Sequence, residues 1–337
     1  SYIKWCVDQG HTVFVISWVN PDERQAEKTF ESYVLEGTIA ALEAIEKQTG
    51  EKSVNAVGYC LGGTLLATTL AYLAGKKQSG RIAAATFFTT MTDFADPGEL
   101  GVFIDEIQVS SLEKKMFERG YLEGSEMAGT FSMLRSNDLI WSFVVSNYLM
   151  GKDPFPFDLL YWNSDSTRMP AAMHSFYLRT MYMENRLVEP GGIEIDGTPI
   201  DLTKIKVPCY FISTIEDHIA PWKSTYMGAR LPSGNTKFVL GGSGHIAGIV
   251  NPPVANKYGF WTNDATDGNL PESPEDFLAG ATQNAGSWWT HWNAWVNALP
   301  GGDAQVKARQ PADGTLGVIE DAPGSYVKFR LDAQKKS

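Results

Sequence analysis

The sequence is poor in cysteine and has no hydrophobic run long enough to cross a bilayer. Its three cysteines, at positions 6, 60 and 209, are too few and too scattered in 337 residues for a disulfide scaffold, which favours a reducing compartment. The longest apolar stretch, residues 65–75, is about half of the roughly 20 residues that a transmembrane helix needs. The chain opens without Met and without a charged-then-apolar leader, so we expect no transmembrane segment, no secretion signal and a start inside a longer protein.

Positive charge is also scarce. The 28 Lys and Arg residues face 39 Asp and Glu residues, which gives a net charge of −11, and no run of Lys and Arg concentrates the cations. An acidic surface repels phosphate backbones, so we expect no nucleic-acid partner. Aromatic residues, in contrast, are plentiful: 17 Phe, 13 Tyr and 10 Trp provide far more large apolar surface than a disordered chain carries. The composition therefore predicts a globular protein with a large core.

Short apolar runs alternate with segments of helical periodicity in two parts of the chain. The runs are rich in β-branched and aromatic residues, which predicts buried strands, and most segments between them repeat apolar residues at helical spacing. Strand–helix alternation of this kind predicts a mostly parallel sheet with helices on both faces. The predicted strands are residues 12–18, 54–57, 82–88, 207–213 and 236–240, and the predicted helices are residues 26–48, 64–74 and 286–296.

The alternation is interrupted through the middle of the chain. Residues 94–200 show no strand alternation and are dense in aromatic residues, Met and Pro, which predicts a mainly helical cap inserted into the α/β core. The core then consists of residues 1–93 and 201–299. Residues 300–337, which are rich in Pro, Gly and charge, are predicted to form a C-terminal tail that packs on the core.

One short motif carries a nucleophile. Gly58-Tyr59-Cys60-Leu61-Gly62 matches the nucleophile-elbow pattern G-x-S-x-G with Cys in place of Ser, and it stands between a predicted strand and a predicted helix. The glycines let the chain turn sharply, so that the central side chain is held exposed at the carboxyl edge of the sheet. The alternative is that Cys60 is a small buried thiol beside a tight turn.

A cysteine nucleophile needs a base, and the required partners follow in order along the chain. On the hydrolase fold the order is nucleophile, acid, histidine, with the acid after a late strand and the histidine after the last one. Asp217 follows one of the late predicted strands, and His245 follows the next. The sequence therefore predicts Cys60 as nucleophile, His245 as general base and Asp217 as acid. Asp93, which follows the third predicted strand, is the alternative acid.

Acyl transfer also needs N–H groups that bind the oxyanion of the tetrahedral intermediate. The backbone N–H of Leu61, the residue after the nucleophile, is one such donor. The second donor normally comes from a loop after an earlier strand, so we expect it upstream of Ser1.

The remaining histidines and cysteines have ordinary structural interpretations. His218 belongs to the loop of Asp217 and is expected to shape that loop. No pair of Cys or His residues has metal-ligand spacing, and no glycine-rich phosphate motif occurs, so we expect neither a metal nor a cofactor. The side chains expected to have packing roles are His11, His174, His291, Cys6 and Cys209.

Three segments around the predicted site resemble the catalytic domain of class I polyhydroxyalkanoate (PHA) synthases. They are residues 58–64 (GYCLGGT), 216–221 (EDHIAP) and 243–253 (SGHIAGIVNPP). Further matches occur in order along nearly the whole chain, at residues 18–21 (WVNP), 134–141 (LRSNDLIW), 162–167 (WNSDST), 177–179 (YLR), 261–264 (WTND) and 286–289 (GSWW).

The resemblance implies an α/β-hydrolase fold and a cytoplasmic acyltransferase. Such an enzyme takes (R)-3-hydroxyacyl groups from coenzyme A (CoA) and polymerises them into a polyester that accumulates as granules. The resemblance carries over Cys60 as nucleophile, His245 as general base, and Asp217 as the acid that orients His245 or activates the 3-hydroxyl. It also implies a cap that covers Cys60 and takes part in a homodimer.

Two other functions remain open on the same residues. A Cys-dependent thioesterase or lactonase would use Cys60, Asp217 and His245 to deliver the acyl group to water. An inactive hydrolase-fold protein that binds or coats granules would not use them at all. Product analysis separates the first alternative from a polymerase, because hydrolysis yields free 3-hydroxy acid and polymerisation yields a high-mass polyester.

Overall fold

A computed structural model of the chain describes most, but not all, of its residues. Most of the motif segments at 134–141 and 162–167 lie outside the described part. The described residues are 1–134, 140–141, 143–153, 167–264, 269–302, 309–310 and 313–328.

A six-stranded sheet forms the centre of the fold. Its strands stand side by side in chain order: the first four are parallel, the fifth is antiparallel to the fourth, and the sixth is antiparallel to the fifth. The predicted α/β architecture with a mostly parallel sheet is confirmed. The last two strands were not predicted, because three residues each is too short for a periodic signal. The strands are β1 Val54–Tyr59, β2 Ile82–Phe88, β3 Cys209–Thr214, β4 Thr236–Gly241, β5 Phe260–Thr262 and β6 Thr282–Asn284.

In the described part of the chain, three helical regions of the core follow the predicted helices closely, three further core helices lie outside the predicted ranges, and others lie between β2 and β3. They are α1 Tyr2–Asp8, α2 Ala40–Thr49, α3 Leu61–Gly75, α4 Glu106–Arg119, α5 Gly124–Leu134, α6 Ala171–Phe176, α7 Trp222–Ala229, α8 Pro274–Ala279 and α9 Trp288–Ala298. Other helical segments, which are short or not of regular α-helical form, occupy Glu23–Gln25, Phe30–Ser32, Tyr33–Ile39, Ser79–Arg81, Gly98–Phe103, Val144–Leu149, Tyr177–Met183, Arg186–Val188, Leu202–Lys204, Pro253–Ala255 and Ser325–Lys328. None of the helices in the described residues is both long and apolar enough to span a bilayer.

The helix predicted at residues 26–48 begins four residues later than expected. Thr29 caps it, because its hydroxyl accepts the N–H of Ser32 while the Ser32 hydroxyl accepts the N–H of Thr29. The helix then continues into α2 and ends before Gly50, which adopts the left-handed conformation of a helix terminus. Capping chemistry therefore fixes both ends.

Helices cover both faces of the sheet. Nearly all of α3 is buried, because its apolar residues and small threonines lie against one face. On the other face, three tryptophans of α9 form a second apolar cluster. The indole of Trp292 donates to the hydroxyl of Thr86 in β2 across 2.9 Å, which anchors α9 to the middle of the sheet. This two-sided burial explains why β2 and β3 read as continuous apolar runs.

The strand predicted at residues 12–18 is wrong. The segment runs without regular secondary structure, and Val15 in its centre is 65% exposed. Near its ends His11 hydrogen-bonds Asn293 and the Trp18 ring lies over Gly37, and Val13 packs against the core cluster around α9. A strand exists only as a member of a ladder, and in the described chain β1 is the edge of the sheet and pairs with β2 alone. An apolar, β-branched segment without a paired neighbour cannot become a strand.

The region between β2 and β3 is mainly helical in its described part, with two short ribbons of two residues per strand. Arg179 joins its helices: its guanidinium contacts the carboxylates of Glu106 and Glu113 from α4. Asn185 joins the region to the end of β2, because its amide donates to Asp93 and accepts the N–H of Phe94. The assignment of residues 94–200 as a cap, and of residues 300–337 as a tail on the core, stays a prediction.

His174 in α6 makes stability depend on pH. Burial lowers the pKa of His174 from 6.5 to about 4, and its Nδ1 has no hydrogen-bond partner. The unfolded chain binds the proton more readily, so the free energy of unfolding falls as pH drops from 6.5 towards 4, by about 2 kcal/mol at pH 5. Urea unfolding at pH 7 and pH 5 measures this loss. We expect His174→Phe to remove this fall in the free energy of unfolding between pH 7 and pH 5. An equal fall in the variant would show that His174 is not its cause.

Candidate active site

Cys60 sits on a sharp turn between β1 and α3. Its backbone has φ +52°, a left-handed conformation that a side-chain-bearing residue rarely adopts. A Cβ on Gly58 would lie 2.5 Å from the Cα of Gly63, and a Cβ on Gly63 would lie 1.9 Å from Oγ1 of Thr90. Gly62 faces open space. The turn thus depends sterically on Gly58 and Gly63, whereas the pattern G-x-S-x-G had pointed to Gly58 and Gly62.

Alanine substitutions of these glycines test the geometry of the turn. Gly58→Ala and Gly63→Ala should each lower the free energy of unfolding by about 1–3 kcal/mol or more, because the added methyl group meets backbone or the side chain of Thr90. Gly62→Ala is the matched control and should unfold within about 0.5 kcal/mol of the parent, since nothing lies within 4 Å of its Cβ. Chemical denaturation checks all three variants. Equal effects at positions 62 and 63 would contradict this reading of the turn.

Asp217 and His245 form a buried pair. The loop after β3 turns back so that Oδ1 of Asp217 accepts the N–H groups of Ile219 and Ala220, each at 2.9 Å. This leaves Oδ2 of Asp217 to accept from Nδ1 of His245 at 2.7 Å. The Asp217 side chain is 0% exposed and the His245 side chain 9% exposed. The contact fixes the ring of His245 and directs its other nitrogen away from Asp217.

The surroundings of His245 favour its protonated form. Burial acts to lower the pKa of His245, but it is outweighed by the negative charge of Cys60, the hydrogen bonds to Asp217 and Cys60, and the charge of Asp217. Together these raise the pKa of His245 to about 10. A raised imidazole pKa strengthens His245 as a proton acceptor, which is what a general base requires.

Tyr59 positions His245, a role that the sequence analysis missed. Its hydroxyl donates to the backbone carbonyl of His245 at 2.9 Å, and the two rings stack with centroids 5.4 Å apart. The signal was present in the elbow, where an aromatic residue precedes Cys60. Tyr59 thus couples the turn at Cys60 to the loop that holds His245.

A very small cavity adjoins Cys60. Its volume is about 10 Å³, which is room for roughly one water molecule. Tyr177 and Tyr182 from the region between β2 and β3 line it, together with Thr89 and Ile219 from the core. A CoA thioester does not fit in this conformation, so the residues over Cys60 must move before such a substrate reaches it.

The other predicted residues lie away from this constellation. Asp93, the alternative acid, accepts from Asn185 and from the N–H of Ala95, whereas the carboxylate against His245 belongs to Asp217. Cys6 and Cys209 are buried in the core, and burial raises the pKa of Cys209 to about 12. In the described residues, no group of three or more His, Cys, Asp or Glu side chains could hold a metal ion.

The fold and the elbow define the class of protein. Residues 3–252 match a family model described as the alpha/beta hydrolase fold, and the chain belongs to this family. Among solved structures it is similar to a monoacylglycerol lipase from Paleococcus ferrophilus, with 15% identity and a TM-score of 0.42 over 72% of this chain and 79% of the lipase.

Within this class, the chain is most informatively compared with curated polymerases. It is 55% identical to the poly(3-hydroxyalkanoate) polymerase subunit PhaC of Rhizobium meliloti, over 98% of this chain and 52% of that protein. It is 45% identical to the corresponding subunit of Cupriavidus necator, over 98% of this chain and 56% of that protein. The chain spans about half the length of the curated relatives it matches. The resemblance of the motif segments to PHA synthases is confirmed.

Proposed function

We propose that this chain is the catalytic part of an acyltransferase that polymerises (R)-3-hydroxyacyl-CoA into a PHA polyester and releases CoA. The observation that carries the proposal is the contact of His245 with both Cys60 and Asp217 at an elbow turn, in a chain 55% identical to a PHA polymerase subunit. Cys60 is the nucleophile, His245 the general base, and the N–H of Leu61 an oxyanion donor.

The first half-reaction loads the acyl group. His245 takes the proton from Cys60, and the thiolate attacks the thioester carbonyl while the N–H of Leu61 stabilises the oxyanion. The bond between the carbonyl carbon and the CoA sulfur breaks, the bond to Cys60 Sγ forms, and His245 returns its proton to the CoA thiolate. One thioester replaces another, so the acyl group stays activated.

The second half-reaction extends the polyester. The 3-hydroxyl of a monomer or growing chain gives its proton to His245, and its oxygen attacks the acyl carbon on Cys60. An ester bond forms and the thiolate of Cys60 leaves. Asp217 acts by orienting His245, because both of its oxygens already accept hydrogen bonds and its side chain is 0% exposed. This supports the orienting role over direct activation of the 3-hydroxyl by Asp217.

A polymerase must keep water from the acyl-enzyme, because hydrolysis ends the chain. The cavity at Cys60 has room for roughly one water molecule, and the apolar side chains of Leu61, Met91 and Ile219 line part of it. A site of this kind supports transfer to a bound hydroxyl over transfer to bulk solvent.

The polyester product determines the proposed partners and location. We place the enzyme in the cytoplasm at the surface of polyester granules, as a homodimer formed through the region between β2 and β3. Its substrate is a CoA thioester, and nucleic acid is not a partner.

Product analysis tests the proposal. Full-length protein incubated with (R)-3-hydroxybutyryl-CoA should release CoA, measured as free thiol, and should form a polyester of high mass. Free 3-hydroxybutyrate as the main product would identify a thioesterase instead. No CoA release, together with no selective labelling of Cys60 by a thiol-directed probe, would indicate an inactive binding protein.

A further inference from the structure

Thr89 is held in a conformation that costs free energy. It follows the end of β2 and has φ +42°, a left-handed conformation that is a genuine outlier for a β-branched residue. Its N–H donates to the carbonyl of Ile212 in β3 at 2.7 Å, so the sheet itself holds the residue in place. Strain of this kind persists only where the surrounding structure imposes it, and it concentrates at functional sites.

The hydroxyl of Thr89 is buried without a hydrogen-bond partner. The residue is 0% exposed, and its Oγ1 contacts no donor or acceptor. Its neighbour Thr90 is satisfied, because that hydroxyl donates to the carbonyl of Phe88 at 3.1 Å. A buried hydroxyl without a partner is unfavourable, so its presence in this structure calls for an explanation.

Thr89 lines the cavity that Cys60 also lines. The other hydroxyls of this lining are engaged: Thr64 donates to the carbonyl of Met91, and Tyr177 and Tyr182 hydrogen-bond each other. Within the described residues, Thr89 is thus the hydroxyl of the cavity lining that remains free for a bound molecule.

The chemistry of the proposed substrate provides a partner for it. An acyl group on Cys60 has two polar oxygens, the carbonyl oxygen and the 3-oxygen. In the proposed mechanism the carbonyl oxygen is bound by the N–H of Leu61, and the carboxylate of Asp217 already accepts three hydrogen bonds. The 3-oxygen therefore needs another group in the same cavity.

We propose that Oγ1 of Thr89 hydrogen-bonds the 3-oxygen of the acyl group on Cys60, and that Thr89 selects 3-hydroxyacyl over plain acyl substrates. This assignment rests on the proposed function. Plain acyl groups leave the Thr89 hydroxyl unpaired, whereas 3-hydroxyacyl groups satisfy it, and such a difference is a strong basis for discrimination. Thr89 is a specificity-determining residue and takes no part in bond breaking.

The test compares two substrates on four forms of the full-length protein: the parent, Thr89→Val, Thr89→Ser and Thr92→Val. Val preserves the shape of Thr and removes the hydroxyl, and Ser retains the hydroxyl. Thr92 is the matched control, because it is also buried with an unpartnered Oγ1 but does not line the cavity. CoA release is measured in a single turnover, as the rate constant for loading of Cys60, with (R)-3-hydroxybutyryl-CoA and with butyryl-CoA, because butyryl-CoA has no 3-hydroxyl that could continue the reaction. The thermal midpoint is measured for each protein.

We expect Thr89→Val to lower, about tenfold, the loading rate constant for (R)-3-hydroxybutyryl-CoA divided by that for butyryl-CoA. The loss of one substrate hydrogen bond has an effect of this size. Thr89→Ser and Thr92→Val should keep the parent ratio. The thermal midpoint of Thr89→Val should stay unchanged or rise, because the substitution removes an unpaired buried hydroxyl.

A parent-like ratio in Thr89→Val would overturn the assignment while leaving the polymerase proposal intact. If that ratio comes with an equal loss of rate for both substrates and a lower thermal midpoint, Thr89 has a structural role instead. If the parent protein releases no CoA from (R)-3-hydroxybutyryl-CoA, the proposed function itself fails, and the assignment of Thr89 fails with it.

Discussion

Replacing Cys60 with Ala is expected to lower CoA release from (R)-3-hydroxybutyryl-CoA by about ten-thousandfold or more. In the proposed mechanism the thiolate sulfur of Cys60 attacks the thioester, and neither His245 nor Leu61 can replace it. The substitution should leave the fold intact, because Ala also fits the turn between β1 and α3, at the cost of the same left-handed strain. A free-thiol assay of CoA measures the rate.

Cys6→Ala is the matched control for this experiment. Cys6 is a buried thiol of the core cluster around α9 and does not line the cavity at Cys60. It should keep CoA release within a few-fold of the parent rate. Substantial turnover by Cys60→Ala would exclude Cys60 as the nucleophile.

Replacing Asp217 with Asn is expected to lower the rate about a thousandfold or more. The new amide side chain would keep an oxygen for the N–H groups of Ile219 and Ala220 but would present an NH₂ group to Nδ1 of His245. Nδ1 would then have to accept, so the proton moves to the nitrogen that should receive it from Cys60. The wrong tautomer, with the geometry otherwise preserved, is the cause of the loss. The same free-thiol assay of CoA measures the rate.

Asp93→Asn is the corresponding control. Asp93 was the alternative acid in the sequence, but its oxygen accepts from Asn185 and Ala95, and Asn can still accept those hydrogen bonds. The variant should retain nearly the full rate. If Asp93→Asn lowers the rate of CoA release more than Asp217→Asn does, Asp93 is the acid of the site and Asp217 is not.

The central part of the fold was predictable because its signals are local. β2 has the predicted bounds, and β1, β3 and β4 differ from them by at most two residues at either end. β2 and β3 are apolar runs buried on both sheet faces, which makes such runs unambiguous, whereas β1 at the sheet edge is only partly buried. Cys60, Asp217 and His245 follow β1, β3 and β4, in the order that the hydrolase fold predicts for nucleophile, acid and histidine.

The failures occurred where a non-local partner decides the structure. The apolar segment at residues 12–18 has every local property of a strand, but strand formation depends on a neighbour that sequence periodicity does not reveal. The strands β5 and β6 show the converse, because pairing makes strands of three-residue segments without a periodic signal.

Three features of the site also escaped pattern reading. The motif pointed to Gly62, but the close approach of Thr90 makes Gly63 the glycine that packing requires. Tyr59 contacts His245 across 186 positions of sequence, and the free hydroxyl of Thr89 is recognisable only when every neighbouring donor and acceptor is in place. A sequence motif indicates candidate reactive residues, whereas the residues that position them are recognised only from contacts in the structure.

Mass spectrometry of the quenched enzyme tests the central claim most directly. Full-length protein is mixed with (R)-3-hydroxybutyryl-CoA, quenched in acid within the first turnovers and digested, and the peptide that contains Cys60 is weighed. We expect the mass of this peptide to increase by one or more 3-hydroxybutyryl units on Cys60. The corresponding peptide of Cys60→Ala should show no increase. Polyester formation with Cys60 unmodified, or with the acyl group on another residue, would contradict this expectation.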